Sequence, residues 1–278
     1  MKVMSRVVGM KQTSELTFQP DWLALREPAD HAARDQQMLR QAAQIVPQDA
    51  RILDLGSGTG STARAFAAGG WTELSWRFFD NDRALLAEAQ AAHPNSEIHN
   101  GDLADVANIP LDGIGLVTAS ALLDLMPSTW VEALAQRLAA RNIPFYAALN
   151  YDGDMRWTPA RDDDAAITEA FNTHQRIDKG NGPALGPKSG AEIAAVFAAH
   201  DYSVSRAKSP WVIGPDQAAL HAELLAGIGS AASEIDAALS PNWAAERRSL
   251  VDRSQATIGH DDILAIPHSV LNVAETGE

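Results

Sequence analysis

Apolar side chains recur along this chain in two alternating rhythms. Between Asp30 and Ile45 they fall at Ala33, Leu39, Ala42 and Ile45, the spacing of a helix with one buried face. Arg51–Leu55 is a short unbroken apolar run, which predicts a strand covered on both sides. The same pair of patterns then repeats. Helices are predicted over Thr59–Ala68, Asp82–Ala92 and Trp130–Ala140, and strands over Leu74–Phe79, Glu97–His99, Gly115–Ala119 and Pro144–Leu149. Strands separated by single helices pair in parallel through right-handed crossovers, so the expected fold is α/β with a doubly wound sheet.

Beyond Asn150 the rhythm weakens. Tyr151–Ser189 is rich in Gly, Pro, Asp and Asn and predicts a loop that leaves the sheet, with one short helix over Ala165–Asn172. A helix over Ala191–His200 and a strand over Tyr202–Lys208 follow. Asp216–Gly227 and Ser230–Arg253 read as inserted helices, and Asp262–Ile266 as a closing strand. One domain over 1–278 is expected, with a helical cap over 1–45 and a ligand-binding core over 46–150. A loop insertion over 151–190 and a second half over 191–278, with helical insertion 216–254, complete it. The helical pieces Pro20–Ile45 and Asp216–Arg253 are expected to cover a site at the strands' C-terminal ends.

Composition narrows the chemistry. The 278 residues are 46% hydrophobic and 21% charged, which is globular and not disordered. The absence of cysteine excludes disulfides, thiol nucleophiles, cysteine-held zinc and iron–sulfur clusters. A net charge of -14, from 36 acidic and 22 basic residues, argues against nucleic acid or an anionic membrane as partner. No apolar run reaches the roughly 18 residues of a spanning helix. The apolar run inside Met1–Lys11 is too short for a secretory signal, and a cytoplasmic monomer or homodimer is expected.

The sharpest local feature is Asp54-Leu55-Gly56-Ser57-Gly58-Thr59-Gly60-Ser61, an apolar strand end running through three alternating glycines into a helix. Such glycines let a ligand approach the backbone. A dinucleotide fingerprint would place a further glycine at position 61, which is serine. Charge points the same way. Asp54 ends the first strand, Asp80 the second and Asp102 follows the third, so three carboxylates are brought to one crevice. They would repel a pyrophosphate and favour a ligand with a sulfonium, an ammonium, ribose hydroxyls and an exocyclic amine. Taken singly, each aspartate also suits a helix cap or a turn.

With those motifs the chain resembles the class I S-adenosylmethionine-dependent methyltransferases, over Leu39–Asn150 and more loosely over Ala191–Pro267. The resemblance implies a Rossmann-like seven-stranded sheet with its last strand antiparallel, and S-adenosyl-L-methionine as cofactor. It implies that Gly56, Ser57, Gly58 and Gly60 lie under the cofactor with Asp54 near its methionine end. Asp80, with Asn81 beside it, would take the ribose hydroxyls. Asp102 would take the adenine amine with the Leu103 backbone nearby, and Ser120, within 118–121, would lie near the sulfonium.

The acceptor is less legible. Ala119-Ser120-Ala121-Leu122-Leu123-Asp124 lacks the Asn/Asp-Pro-Pro-Tyr/Phe signature of enzymes that methylate bases and amides. A small-molecule acceptor is therefore expected, lined by 150–157 and by the polar stretch 171–180. His174 is the leading candidate for a base or substrate orienter because it titrates near neutrality. Tyr151 is a second candidate, and Trp157 is either an aromatic wall or core. No metal is expected. His260-Asp261-Asp262 reads as the turn into the closing strand, Asp162-Asp163-Asp164 as a solvated helix start, and Glu246-Arg247-Arg248 as a surface salt-bridged face. The rival readings are an RNA or protein methyltransferase, a non-catalytic S-adenosylmethionine-binding protein and a nicotinamide oxidoreductase.

Overall fold

A computed structural model of the protein describes residues 18–178, 180, 182–239 and 242–275. Residues 1–17 of the expected cap and Lys179 of the polar stretch lie outside the described residues. The chain opens with α1 (Pro20–Ala33) and α2 (Gln36–Gln44), where one helix over 30–45 was expected. The break has a cause. The Asp35 backbone N–H donates to Asp262 Oδ2 at 3.0 Å instead of extending the helix, and Asp35 Oδ1 accepts from Met38 N at 2.7 Å as the cap of α2.

The alternating half then follows as the pattern predicts: β1 (Arg51–Leu55), α3 (Ser61–Ala68), β2 (Ser75–Asp80), α4 (Arg83–Ala92), β3 (Glu97–Asn100), β4 (Ile114–Ser120), α5 (Ser128–Ala139) and β5 (Phe145–Thr158). The second half holds α6 (Asp164–Gln175), α7 (Ser189–Ala199), β6 (Tyr202–Lys208), β7 (Trp211–Ile213), α8 (Ala218–Ile235), α9 (Trp243–Arg248), β8 (Gln255–Pro267) and α10 (His268–Glu275). The sheet order is β3-β2-β1-β4-β5-β8-β6. β1 to β5 pair in parallel and β8 runs antiparallel to both neighbours, as expected. β7 adds a short eighth strand along the outer half of β8.

Successive side chains of each strand point to opposite faces, which builds two cores. On one face Leu53, Val117 and Phe145 pack with Trp130 and Leu134 of α5 and Phe197 of α7. On the other, Ile52, Phe78, Leu116 and Tyr146 pack with Leu39 of α2, Phe66 of α3 and Leu86 of α4. A third cluster joins Tyr151, Met155, Trp157, Trp211, Leu225 and Trp243 beyond the ends of the parallel strands.

That third cluster overturns several expectations. Tyr151–Thr158 does not leave the sheet: β5 bends at Leu149 (φ +58°) and Gly153 (φ +92°) and continues, paired with β8 through Thr158↔Gln255. The alternation of buried Met155 and Trp157 with exposed Arg156 and Thr158 marks this strand. Trp157 is core, edge-on to Trp243 at 5.2 Å. β8 begins at Gln255, so His260-Asp261-Asp262 lies inside a strand and not in a turn. Where two helices were expected over 216–227 and 230–253, α8 runs unbroken to Ile235, and a short α9 packs against it. Gly229 makes that contact possible, since a Cβ there would meet Ala244 Cβ at 2.9 Å.

Arg247 is not on the surface. It is fully buried, its guanidinium bound to both carboxylate oxygens of Asp164, donating to the Pro159 carbonyl at 2.8 Å and lying over the Trp157 ring. Asp164, expected in a solvated helix start, is thereby held below the usual carboxylate range, against a burial that raises it. Removing one partner of such a pair strands the other. Arg247→Met is expected to lower stability by about 3–5 kcal/mol in urea unfolding, while Arg248→Ala on the exposed side shifts it by under about 0.5 kcal/mol. Equal small effects would show that the pair contributes nothing to the fold.

Candidate active site

Glycine chemistry shapes the centre of the molecule. After β1 the backbone enters the left-handed region at Gly56 (φ +62°), Gly58 (φ +51°) and Gly60 (φ +81°), a conformation that side chains disfavour. The Gly56 and Ser57 N–H groups donate to the Phe79 carbonyl at 2.9 and 3.2 Å, which locks the turn to the end of β2. There Asp80 receives the Gly58 N–H at 2.9 Å on one oxygen and the Asp82 N–H at 2.9 Å on the other. Burial raises the Asp80 carboxyl, and those backbone donors oppose the rise.

Around this turn lies a cavity of about 140 Å³, lined in part by Gly56, Ser57, Gly58, Asp80, Asn81, Asp102, Leu103 and Ser120. Eight of the ten residues expected at the cofactor therefore share one wall. Gly60 sits at the start of α3 and shapes the turn without lining the cavity. Asp54 lies beneath the floor: it is 1% exposed, accepts from Thr118 Oγ1 at 2.8 Å, and its Oδ2 has no partner.

One lining residue has no motif to announce it. Arg34, in the extended break after α1, is 3% exposed and donates from Nη2 to Ser120 Oγ at 3.0 Å. Its Nε and Nη1, like the buried Ser57 Oγ, have no partner. Each unsatisfied buried polar group calls for an explanation, of which a ligand is one.

A second cavity, about 210 Å³, shares Phe18, Arg26, Ala121 and Leu125 with the first. Its walls are chiefly apolar and aromatic, among them Trp22, Met155, Phe171, Trp211 and Ile228. Tyr151 and His174, the residues expected to do chemistry, both line it. Tyr151 donates to Asn172 Oδ1 at 2.8 Å, and burial holds its phenol well above the ordinary range. His174 Nε2 lies 3.1 Å from Glu234 Oε2. Arg26, bound to both Asp30 oxygens at 2.9 and 3.0 Å, lies over the Trp211 ring at 4.9 Å and lines both cavities. His260, from inside β8, completes the wall.

No protein-family model and no curated protein matches the chain. Solved structures do. The cyclopropane synthase MmaA2 from Mycobacterium tuberculosis superposes with a TM-score of 0.50 at 12% identity, over 89% of this chain and 94% of that one. The fold is that of a class I, Rossmann-like methyltransferase. A protein from echinomycin biosynthesis that converts a disulfide into a thioacetal matches at TM-score 0.44 and 15% identity, over 92% and 87% of the two chains. The O-methyltransferase NcsB1 of neocarzinostatin biosynthesis, solved with S-adenosyl-L-homocysteine and 1,4-dihydroxy-2-naphthoic acid, matches at TM-score 0.44 and 17% identity. That match covers 68% of this chain and about half, 51%, of NcsB1. Among the described residues, no helix of this methyltransferase fold is long and apolar enough to cross a membrane.

The floor of the first cavity carries a pH signature. Burial pushes Asp54 up to about 6, against Thr118, Arg34 and Thr62, which lower it. A carboxyl raised on folding binds its proton more tightly in the folded chain, so stability is fully present below pH 4 and falls as pH rises through about 6. In the ligand-free protein, Asp54→Asn is expected to be more stable than wild type at pH 7.5 by about 1–3 kcal/mol, with the gap closing toward pH 4. Urea titrations across that range measure it, and an Asn variant no more stable at pH 7.5 refutes it.

Proposed function

We propose that this protein transfers a methyl group from S-adenosyl-L-methionine to a small-molecule acceptor. One observation carries the reading: the glycine turn, two strand-end carboxylates and a buried arginine with unpartnered nitrogens converge on one cavity, which opens beside a second, apolar one. When bound, the cofactor supplies a methyl group on a positively charged sulfur, a leaving group already activated.

The rest falls to the chain. Gly56, Ser57 and Gly58 let the ligand lie against the backbone. Asp80, whose oxygens are each fixed by one backbone N–H, keeps lone pairs for ribose hydroxyls, with Asn81 beside it. Asp102, exposed on the same cavity, accepts from the adenine amine next to Leu103. Arg34 and Ser57 face the carboxylate of the methionine end, and Ser120 holds Arg34 in place. Asp54 acts from below through Thr118, adding negative potential toward the sulfonium and ammonium. Tyr151 and His174, whose polar atoms are held by Asn172 and Glu234, serve as walls that fix the acceptor's attitude. In-line geometry and the exclusion of water by Phe18, Trp22 and Phe171 supply the remaining acceleration.

A recessed, aromatic acceptor cavity supports a small acceptor over RNA or protein, in line with the net charge of -14. Calorimetry with S-adenosylmethionine, S-adenosylhomocysteine and NAD is the direct check: binding of NAD alone would sink the reading. Asp80→Ala and Arg34→Met are each expected to weaken S-adenosylhomocysteine binding by about 1–3 kcal/mol, the worth of a hydrogen bond to a charged group. Unchanged affinity in both would show that the cofactor lies elsewhere.

A further inference from the structure

α8 carries two glycines near its middle, Gly227 and Gly229. Each makes the helix interior less stable than alanine would, because a glycine gives up more backbone freedom on folding. Gly229 has its reason in the contact with α9, where a Cβ would meet Ala244 Cβ at 2.9 Å. Gly227 has different surroundings. It is half-buried and lines the second cavity, which a glycine can do only with its backbone.

Helical geometry fixes the direction in which a side chain at this position would leave. Leu224, Ile228 and Ala231 line the same cavity, and residues three and four apart share one face of a helix. A Cβ at 227 would therefore enter the cavity among those three. α6 packs against α8, yet a glycine serving that approach would be covered by the neighbouring helix, as Gly229 is by α9. Gly227 borders a cavity instead.

We infer that Gly227 sets the size of the methyl acceptor: by omitting a side chain it keeps the α8 side of the second cavity open for an apolar group that a larger residue would exclude. Calling the occupant the acceptor rests on the methyl-transfer reading; the size limit belongs to the cavity itself. The side chains of Leu224, Ile228 and Ala231 form no hydrogen bonds, and the backbone of a helix interior is spent within the helix. The group received there is hydrocarbon, whatever polar group the molecule carries elsewhere. Phe171 and Trp211 on the other walls suit a flat ring.

The test uses two probes that differ by one fused ring, phenol and 2-naphthol, with binding followed by calorimetry at pH 7. Wild type is expected to prefer 2-naphthol by roughly tenfold or more, since even one methylene in an apolar pocket is worth that much. Gly227→Ala is expected to cut the preference by roughly threefold to tenfold, and Gly227→Leu to abolish it. The Gly227 amide resonance should move with 2-naphthol, a readout that needs no variant. Stability separates room for a ligand from room for packing. Gly227→Ala is expected to raise Tm by roughly 1–4 °C, the gain of alanine over glycine in a helix. Gly229→Ala is expected to lower it, because Ala244 stands in the way. A preference that survives Gly227→Leu, or a wild type without one, overturns the inference. So does a Gly227 resonance that ignores 2-naphthol, or a Tm that falls with Gly227→Ala. S-adenosylhomocysteine titration keeps the two claims apart. No such binding in wild type refutes the cofactor site and leaves the size preference to stand or fall by itself. Unchanged titration in the variants shows that the first cavity is intact.

Discussion

The carboxylate of Asp262 is fully buried in the middle of β8, and three groups from two distant parts of the chain, the start of α2 and β5, donate to it. Its Oδ2 accepts the Asp35 N–H and the Tyr146 hydroxyl, each at 3.0 Å, and its Oδ1 accepts the Leu149 N–H at 2.9 Å. A buried carboxylate is tolerable only with such a full set of donors. Each donor has a structural consequence. The Asp35 bond breaks the front helix and turns Arg34 inward. The Leu149 bond supports a residue at positive φ, where β5 changes direction toward the second cavity. The Tyr146 bond fixes the sheet face on which α2 and α3 pack. The two cavities thus owe their relative placement to one side chain on a strand that the first half of the fold does not contain.

Some of the polar atoms left without partners lie where that scaffold leads. Asp54 Oδ2, Ser57 Oγ, and Arg34 Nε and Nη1 are all buried, and all border or underlie the first cavity. A fold optimised for stability alone would satisfy or remove them, because each costs free energy in the ligand-free state. Beside a cavity such atoms fit a trade of stability for ligand affinity, whereas Trp157 Nε1, Ser209 Oγ and Ser254 Oγ are left open away from both cavities. The buried His221, with both ring nitrogens open and no place on either cavity wall, shows that an orphaned atom by itself does not make a site.

The parallel half of the sheet was legible because its determinants are local: an apolar run, a helical stripe and a glycine turn each sit within a dozen residues. The glycine motif even located most of the first cavity. What could not be read depends on partners far along the chain. The helix break at Arg34 comes from an aspartate 227 residues away from Asp35. Arg247 looked like surface because it stands in a charged triplet, and only the fold brings Asp164 under it. The extension of β5 did leave a trace, the alternation Met155-Arg156-Trp157-Thr158, but the glycine and aspartates before it suggested a loop more strongly. The two bends that those residues permit are the reason both signals are present at once.

The same contrast explains why the lining of the first cavity is more legible than that of the second. The first cavity is built at the C-terminal ends of adjacent parallel strands, where chain order and spatial order agree. The second is assembled from α1, residues 121–125 after β4, the bent end of β5, α6, β7, α8 and β8, seven segments with no shared motif. His260 illustrates the difficulty. Next to two aspartates it resembles a metal cluster or a turn, yet adjacent strand residues point to opposite faces. Asp261 pairs with Arg206 and Lys208, while His260 packs between Tyr151 and Trp211. Its chemistry is set less by its neighbours in sequence than by antiparallel pairing, which places it opposite Tyr151. A cavity made this way is free to change with the inserted segments while the glycine turn stays fixed, and its residues carry information only once the sheet has put them together.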